Sequence, residues 1–276
     1  MNSIREYFAN MPDSHRLLIL LASLSLFWYI ESVKFIRTNY KKWRHISINS
    51  LFPLAVLPVQ VILGLIILKV TNFNLVHQSG LIHITWFMEN GSLLFQCIVV
   101  FITLDFLEYV YHVTMHKFKR LWMMHVVHHS DSVVDVSTTL REHPMETLVR
   151  LSYLVLWLYL TGAEYWMLML RQAIQIVSNV LSHANFWLPP RLNKIVGYIF
   201  ITPNFHHVHH HNEQPYTNCN YGDVLSIWDR LFGTFKELGK ENITSGVDTF
   251  NEIKVETNFI TLLKIPFGKY RPSIKK

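Results

Sequence analysis

Cysteine and charge are the scarcest features of this 276-residue chain. The two cysteines, Cys97 and Cys219, support neither a disulfide framework nor a CxxC zinc site, and we expect both to be structural thiols. Charged residues make up only 16% of the chain and hydrophobic residues 50%, which is too apolar for an ordinary soluble domain. The net charge is +6, yet there is no nucleic-acid-binding motif and no continuous basic stripe, so we expect no nucleic-acid partner.

A cleavable signal peptide is also missing. The first apolar run begins near Leu17, and no small-residue cleavage site follows it, so the run is expected to stay as a membrane helix. A bilayer span needs about 20 mostly apolar residues. Three stretches meet or nearly meet that length: residues 17–36, 51–70 and 92–111.

A further apolar block covers residues 148–181 and is interrupted at Gly162. We expect a helical hairpin that turns at this glycine, with arms of about 17 residues, or a shallower re-entrant hairpin. Arg171 would then lie unusually deep. The predicted fold is an all-α integral membrane protein of about 4–5 transmembrane or re-entrant helices, with a cytoplasmic histidine-rich helical cap.

Basic residues are distributed unevenly around these helices. The segment 71–91 contains no lysine or arginine. The regions after the first and third helices are basic, through Arg37, Lys41, Lys42, Arg44, Lys117, Lys119 and Arg120. The positive-inside rule therefore places the loop after the first helix and the histidine-rich region on the cytoplasmic face. The basic tail shows no retention signal, which favours a bacterial cytoplasmic membrane over the endoplasmic reticulum.

Histidines are the most informative residues present. Twelve of the sixteen fall between His112 and His211, in one HxxxH and two HxxHH patterns that put side chains on one helix face. Neutral imidazole is the commonest protein metal ligand. Because a structural zinc site saturates at four ligands, eight clustered imidazoles indicate two ions. The isolated His15, His45, His77 and His83 are interpreted as interfacial or hydrogen-bonded.

The spacing alone leaves the chemistry open. Imidazole suits zinc and iron alike, so a zinc hydrolase and an iron oxygenase are both compatible with it. The hydrolase would need a general base, for which Glu142 and Glu146 are candidates, although no HExxH is present. A histidine-rich metal-binding or transport protein is a third alternative, but it predicts ligands within the membrane helices, whereas these histidines flank them.

A longer series of motifs carries a family resemblance. In order, these are Asp105-x-x-x-Tyr109-x-x-His112-x-x-x-His116, His125-x-x-His128-His129, Arg141-x-His143-Pro144-x-Glu146, His183-x-Asn185, Thr202-Pro203, His206-x-x-His209-His210, Asn220-Tyr221-Gly222 and the segment 228–235. Together they resemble the fatty acid hydroxylase / sterol desaturase superfamily of membrane di-iron enzymes. The first motif is HxxxH. A second HxxxH pair beginning at His183 would need a histidine at position 187, where Trp187 stands. Both features point to the sterol-desaturase-like and alkylglycerol-monooxygenase-like branches rather than the sphingolipid hydroxylases.

The resemblance implies a di-iron centre that uses O2 to hydroxylate or desaturate a fatty acyl, ether or sterol-like lipid. It also implies an external electron donor of the cytochrome b5, ferredoxin or reductase type. The implied metal ligands are His112, His116, His125, His128, His129, His183, His206, His209 and His210. Asp105 and Asn185 are expected to support these ligands by hydrogen bonding.

Three further histidines are left open as ligands. The last HxxHH pattern can also be read in a second register that includes His207 and His211. The spacing back from Asn220 favours the register that begins at His206. His143 precedes a proline and is expected to be structural. The predicted organisation is an N-terminal membrane region 1–91, a fatty acid hydroxylase-like di-iron catalytic domain 92–236 and a polar basic tail 237–276.

Overall fold

The structure, a computed structural model, describes residues 2–34, 42–81, 91–250 and 258–273. Arg37, Lys41, His83 and the basic tail residues 275–276 lie outside the described residues. Within the described ranges the chain forms helices and no strand. The α-helices are α1 (Asn2–Ala9), α2 (Asp13–Lys34), α3 (Lys42–Asn49), α4 (Phe52–His77), α5 (Leu93–Lys117), α6 (Lys119–His129), α7 (Pro144–Thr161), α8 (Tyr165–His183), α9 (Pro190–Val196), α10 (Pro203–His209), α11 (Ile227–Leu231) and α12 (Phe259–Lys264).

Three helical segments are long and apolar enough to cross a membrane: Ser14–Val33, Lys42–His77 and Leu93–Lys117. They coincide with the three predicted spans. Their outer surfaces carry large apolar side chains such as Leu18, exposed by 60%, and Leu54, exposed by 67%. A helix that is apolar on its exposed face as well suits a lipid environment. The prediction of an all-α membrane protein is confirmed.

Helices α7 and α8 form the predicted turn at Gly162. This glycine has φ +77°, and its N–H donates to the carbonyl of Leu158, which closes the end of α7. The two arms differ in their main packing partners, since α7 packs chiefly on α4 and α8 chiefly on α2 and α1. Arg171 is buried, as expected, and its guanidinium donates to Asp223 at 3.0 Å and Gln175 at 2.7 Å.

Two apolar cores flank the histidine region. The first lies among α4, α5, α7 and α8 and includes Leu104, Leu158 and Leu168. In a lipid environment such a core is held by close packing rather than by the hydrophobic effect. The second lies under α6 and includes Val126 and Leu262. Removing such a side chain from water contributes about 1.5–3 kcal/mol. Helices α5 and α6 are therefore fixed from both sides.

The contact between Gly80 and the α7–α8 turn gives a test of this packing. Gly80 has φ +96°, and an added Cβ would stand 2.3 Å from the backbone nitrogen of Gly162. We expect Gly80→Ala to lower the free energy of unfolding by about 1–3 kcal/mol, because the backbones must separate. Gly64→Ala is the control, since nothing lies within 4 Å of its added Cβ. Thermal unfolding in detergent should separate the variants, and equal midpoints would contradict the close approach.

Candidate metal centre

Three helices present the histidine motifs. On α5, His112 and His116 stand one turn apart, and α6 ends on His125, His128 and His129. Helix α10 begins where the Thr202 side chain accepts a hydrogen bond from the Phe205 N–H, with proline at the first helical position. The last histidine motif therefore occupies one short, capped helix.

Nine histidines assemble into two groups. Within each group the candidate ligand nitrogens all lie within 4.8 Å of one another. The five-histidine group is His112, His116, His125, His129 and His209, and the four-histidine group is His128, His183, His206 and His210. Each HxxHH motif is thus divided between the groups. These are the nine residues that the sequence analysis expected as ligands.

The two groups are in direct contact. The rings of His129 and His210, one from each group, stack with their centroids 4.6 Å apart. The rings of His128 and His129 also meet edge to face at 5.6 Å. Two ions held by these groups would therefore be neighbours, as in a dinuclear centre.

Backbone carbonyls orient the imidazoles. The Nδ1 atoms of His112 and His209 lie 2.9 Å and 2.7 Å from the carbonyls of Tyr221 and Cys219. A carbonyl only accepts, so each Nδ1 carries the proton and each Nε2 presents a bare lone pair. An imidazole whose outer nitrogen is hydrogen-bonded in this way is in the tautomer that binds metal.

The four-histidine group shows the same arrangement. The Nδ1 atoms of His128 and His183 donate to the carbonyls of Arg141, at 3.3 Å, and Asn179, at 2.8 Å. Their two Nε2 atoms then face each other at 3.1 Å. Since both are bare acceptors, no hydrogen bond joins them, and only a shared cation makes the approach favourable.

The nitrogen spacing fits a transition metal. Imidazole nitrogens bind such ions at about 2.0–2.1 Å, so two ligands at a right angle stand about 3.0 Å apart. The Nε2 atoms of His116 and His209 are moreover buried without any hydrogen-bond partner in the described part of the chain. Buried polar atoms are rarely left unsatisfied, so these two are explained by coordination. The residues present fit a two-metal site.

Burial keeps these imidazoles neutral. It holds the pKa of His128, His206 and His210 well below the ordinary value for histidine, and the neighbouring imidazoles lower that pKa further. The pKa values of His129 and His209 are lowered for the same reasons. A neutral imidazole is the form that coordinates metal, so the site is prepared for ions at neutral pH.

Glu146 is the only carboxylate bonded to one of the nine histidines in the described ranges. Its Oε1 lies 2.6 Å from Nδ1 of His125, and both residues are buried. The sequence makes Glu146 a candidate general base, whereas the structure makes it a partner of a candidate ligand. The sequence signal for this role is the position of Glu146 two residues after Pro144, within the motif Arg141-x-His143-Pro144-x-Glu146.

The expected role of Asp105 is wrong in detail. Its carboxylate does not contact a histidine but accepts from the N–H groups of Val224 and Leu225 and from the Trp228 indole. It thereby holds the segment 219–235, which supplies the carbonyls for His112 and His209. Asp105 acts on the ligands through this loop and does not bond them.

Two other residues shape the same loop. Asp229 accepts from the N–H groups of Tyr221 and Gly222, at 2.7 Å and 2.8 Å. Asn220, which has φ +50°, donates through its side chain to the Phe205 carbonyl. The carbonyl before Asn220 and the one after it are therefore aimed at two imidazoles.

Asn185 contributes through its backbone. Its N–H donates to Glu31 Oε1 at 2.6 Å, and the Val136 N–H donates to the same oxygen at 2.9 Å. In the described chain no hydrogen bond joins the Asn185 side chain to either histidine group. Its expected support of a ligand is thus replaced by a link from α2 to the segment after His183.

The three histidines left open lie outside both groups. His143 caps α7 by accepting from the Met145 N–H and donates to the Leu263 carbonyl. His207 donates to the Ala184 carbonyl, and His211 accepts from the Thr244 N–H. Each has an ordinary structural partner.

A polar cleft of about 90 Å³ reaches the five-histidine group from the protein surface. It is lined by His116 and Asn218, whose side chains are joined at 3.2 Å, and by Trp122 and Tyr270. One edge of this group is therefore accessible to polar molecules.

The fold and site define a class: a helical membrane protein with a paired, histidine-lined candidate metal centre at the ends of its helices. Residues 97–234 match the fatty acid hydroxylase family. The chain therefore belongs to the fatty acid hydroxylase family, and the resemblance stated from its motifs is confirmed.

Individual relatives agree with this assignment. Ornithine lipid hydroxylase OlsE of Rhizobium tropici is 30% identical over 187 residues, which cover 68% of this chain and 55% of that protein. Human alkylglycerol monooxygenase is 30% identical over 163 residues, or 56% of this chain and 35% of the relative. The Caenorhabditis elegans alkylglycerol monooxygenase is 25% identical over 157 residues, or 55% and 30%. The matches thus span about half or a third of these relatives. No solved structure is significantly similar to the chain.

The Glu146–His125 contact yields a test of the centre. We expect Glu146→Gln to weaken metal binding by about 10- to 100-fold, because the amide is a poorer acceptor for the imidazole N–H than a carboxylate. Competition with a chromophoric chelator measures the change. Glu142→Gln is the matched control, since Glu142 bonds Arg150 and Thr147 rather than a histidine. Equal affinities in the two variants would show that Glu146 does not support a ligand.

Proposed function

We propose that this chain is an integral-membrane di-iron oxygenase that acts on a lipid with O2 and electrons from a separate donor. The observation that carries the proposal is the pair of touching histidine groups, whose bare Nε2 atoms converge at the ends of membrane helices. When bound, ferrous ions supply the electrons and the open coordination positions needed to reduce O2 and oxidise a C–H bond. All nine histidines listed from the sequence are the proposed ligands.

The activities named for the relatives favour iron over zinc at this site. Nine imidazoles without a thiol suit either metal, but the relatives are named hydroxylase and monooxygenase, which are redox activities. The two candidate bases for a hydrolase are engaged elsewhere, Glu146 with His125 and Glu142 with Arg150. The histidine groups gather at helix ends rather than along a membrane path, which does not favour transport.

The residues of the chain set the conditions under which the substrate reacts. Hydroxylation consumes one O2, two electrons and two protons and yields one hydroxyl group and one water. Apolar walls from α5, α7 and α8 exclude water, which would otherwise compete for the reactive centre. The cleft beside His116 opens next to Lys119, so an electron-transfer protein docking here would approach the five-histidine group. We place this face in the cytoplasm and favour a bacterial cytoplasmic membrane.

Oxygen transfer is tested directly with isotope-labelled O2. The purified full chain, loaded anaerobically with Fe²⁺ and given a chemical reductant, should place one labelled oxygen atom in an extracted lipid. The zinc-loaded chain is the control and should place none. Mass spectrometry of the lipids measures the label. Labelling from water instead of O2 would overturn the oxygenase proposal.

The two groups predict distinct metal losses. His209→Ala removes a ligand of the five-histidine group and His206→Ala one of the four-histidine group, so each should lower the bound iron by about one ion per chain. His207→Ala is the control, because its Nε2 donates to a backbone carbonyl outside both groups. Elemental analysis counts the ions. A loss in His207→Ala as large as in its neighbours would overturn the ligand assignment.

A further inference from the structure

Three buried hydrogen-bond donors that surround one void outside the metal centre have no partner among the described residues. They are the Tyr111 hydroxyl, the Arg150 Nε–H and the Trp157 Nε1–H. All three residues line one void between α5 and α7. Leaving a buried donor unsatisfied costs about 1–3 kcal/mol, so three donors around one void require an explanation.

The void lies close to the five-histidine group. Tyr111 directly precedes His112 on α5. Arg150 follows Glu146, the partner of His125, by one turn of α7. A group held in the void therefore lies beside the helical turns that carry His112 and, on α7, the His125 partner Glu146.

The size of the void selects what enters it. Its volume is about 10 Å³. A single water-sized group needs about 10–15 Å³, so the void accepts one oxygen-sized group, and a chain attached to that oxygen must continue outside the void. Its remaining walls include Leu104, Leu107 and Leu154, which suit hydrocarbon attached to that oxygen.

The charge around the void disfavours an anion. The Arg150 guanidinium is already paired with Glu142 at 2.6 Å, and the side chain of Glu108 also lines the void. Glu108 itself lies 3.8 Å from the Arg171 guanidinium, so a carboxylate or phosphate entering here would find no free cation. Unpaired donors without net positive charge match an uncharged acceptor oxygen.

We propose that this void seats the ester, amide or ether oxygen of an uncharged lipid that lies between α5 and α7. The donors of Tyr111, Arg150 and Trp157 surround that oxygen, whose two lone pairs accept from them, and the carbons bonded to it meet the leucine side chains. This inference rests on the proposed function only in the claim that the bound lipid is the substrate. The site then sets which carbon, counted from the oxygen, faces the metal centre.

Lipid binding can be measured without catalysis. The zinc-loaded full chain in an ester-free alkyl maltoside detergent is titrated with diacylglycerol brominated on its acyl chains, which quenches nearby tryptophan fluorescence. The wild type should bind saturably, and brominated free fatty acid should bind more weakly. Trp157→Phe should remove much of the quenching, because Trp157 lines the void.

The Tyr111 hydroxyl provides the decisive variant. Tyr111→Phe should weaken diacylglycerol binding by roughly 3- to 10-fold, the loss of one hydrogen bond. Tyr159→Phe is the matched control, because Tyr159 does not line the void and is exposed by 51%. We expect Tyr111→Phe to keep the metal content and the unfolding midpoint of the wild type, and this result excludes a folding defect.

The outcomes of these binding experiments distinguish a failure of the proposed lipid site from a failure of the oxygenase proposal. Equal binding by wild type, Tyr111→Phe and Tyr159→Phe would mean that the void holds only water, which overturns the site and leaves the oxygenase proposal intact. Tighter binding of the free fatty acid would overturn the uncharged-ligand assignment. Selective binding that depends on Tyr111 supports the site even if no labelled oxygen enters any lipid, a result that would reject the oxygenase proposal alone.

Discussion

The opposed lone pairs of His128 and His183 are the constraint from which the rest of the site follows. Their Nε2 atoms stand 3.1 Å apart with no proton between them, because backbone carbonyls hold both protons on Nδ1. Such an arrangement is unfavourable in a buried interior unless a cation lies there. The carbonyls that enforce it must therefore be rigid, and much of the fold serves to fix them in place.

That rigidity is built in layers. The carbonyls facing His112 and His209 belong to the segment 219–235, which is held by Asp105 of α5 and by Asp229 within the segment itself. The carbonyl facing His128 belongs to Arg141, a fully buried residue whose guanidinium donates to the Val127 carbonyl and to the Ser130 and Asn49 side chains. Buried polar groups are costly unless all are bonded, so these networks tolerate little displacement.

The membrane explains where the chemistry can occur. Helices α5 and α7 belong to the apolar bundle, yet their ends reach the histidine groups and the unpartnered donors around Tyr111. A lipid moving between these helices would remain in hydrocarbon until its polar oxygen met a donor. The cleft at His116 opens the five-histidine group to polar molecules. Under the proposed function, lipid and polar reactants would therefore have separate approaches.

Local features of this protein follow from the sequence alone. The length of the apolar runs predicts the membrane helices, and the i, i+3, i+4 spacing puts each histidine motif on one helix face, because both depend only on neighbouring residues. Tertiary structure decides how each HxxHH motif divides between two groups and that Asp105 binds a loop. The physical reason is that the partners of Nδ1 are mostly backbone carbonyls, which every residue has. Only the packing of distant helices determines which carbonyl faces which imidazole.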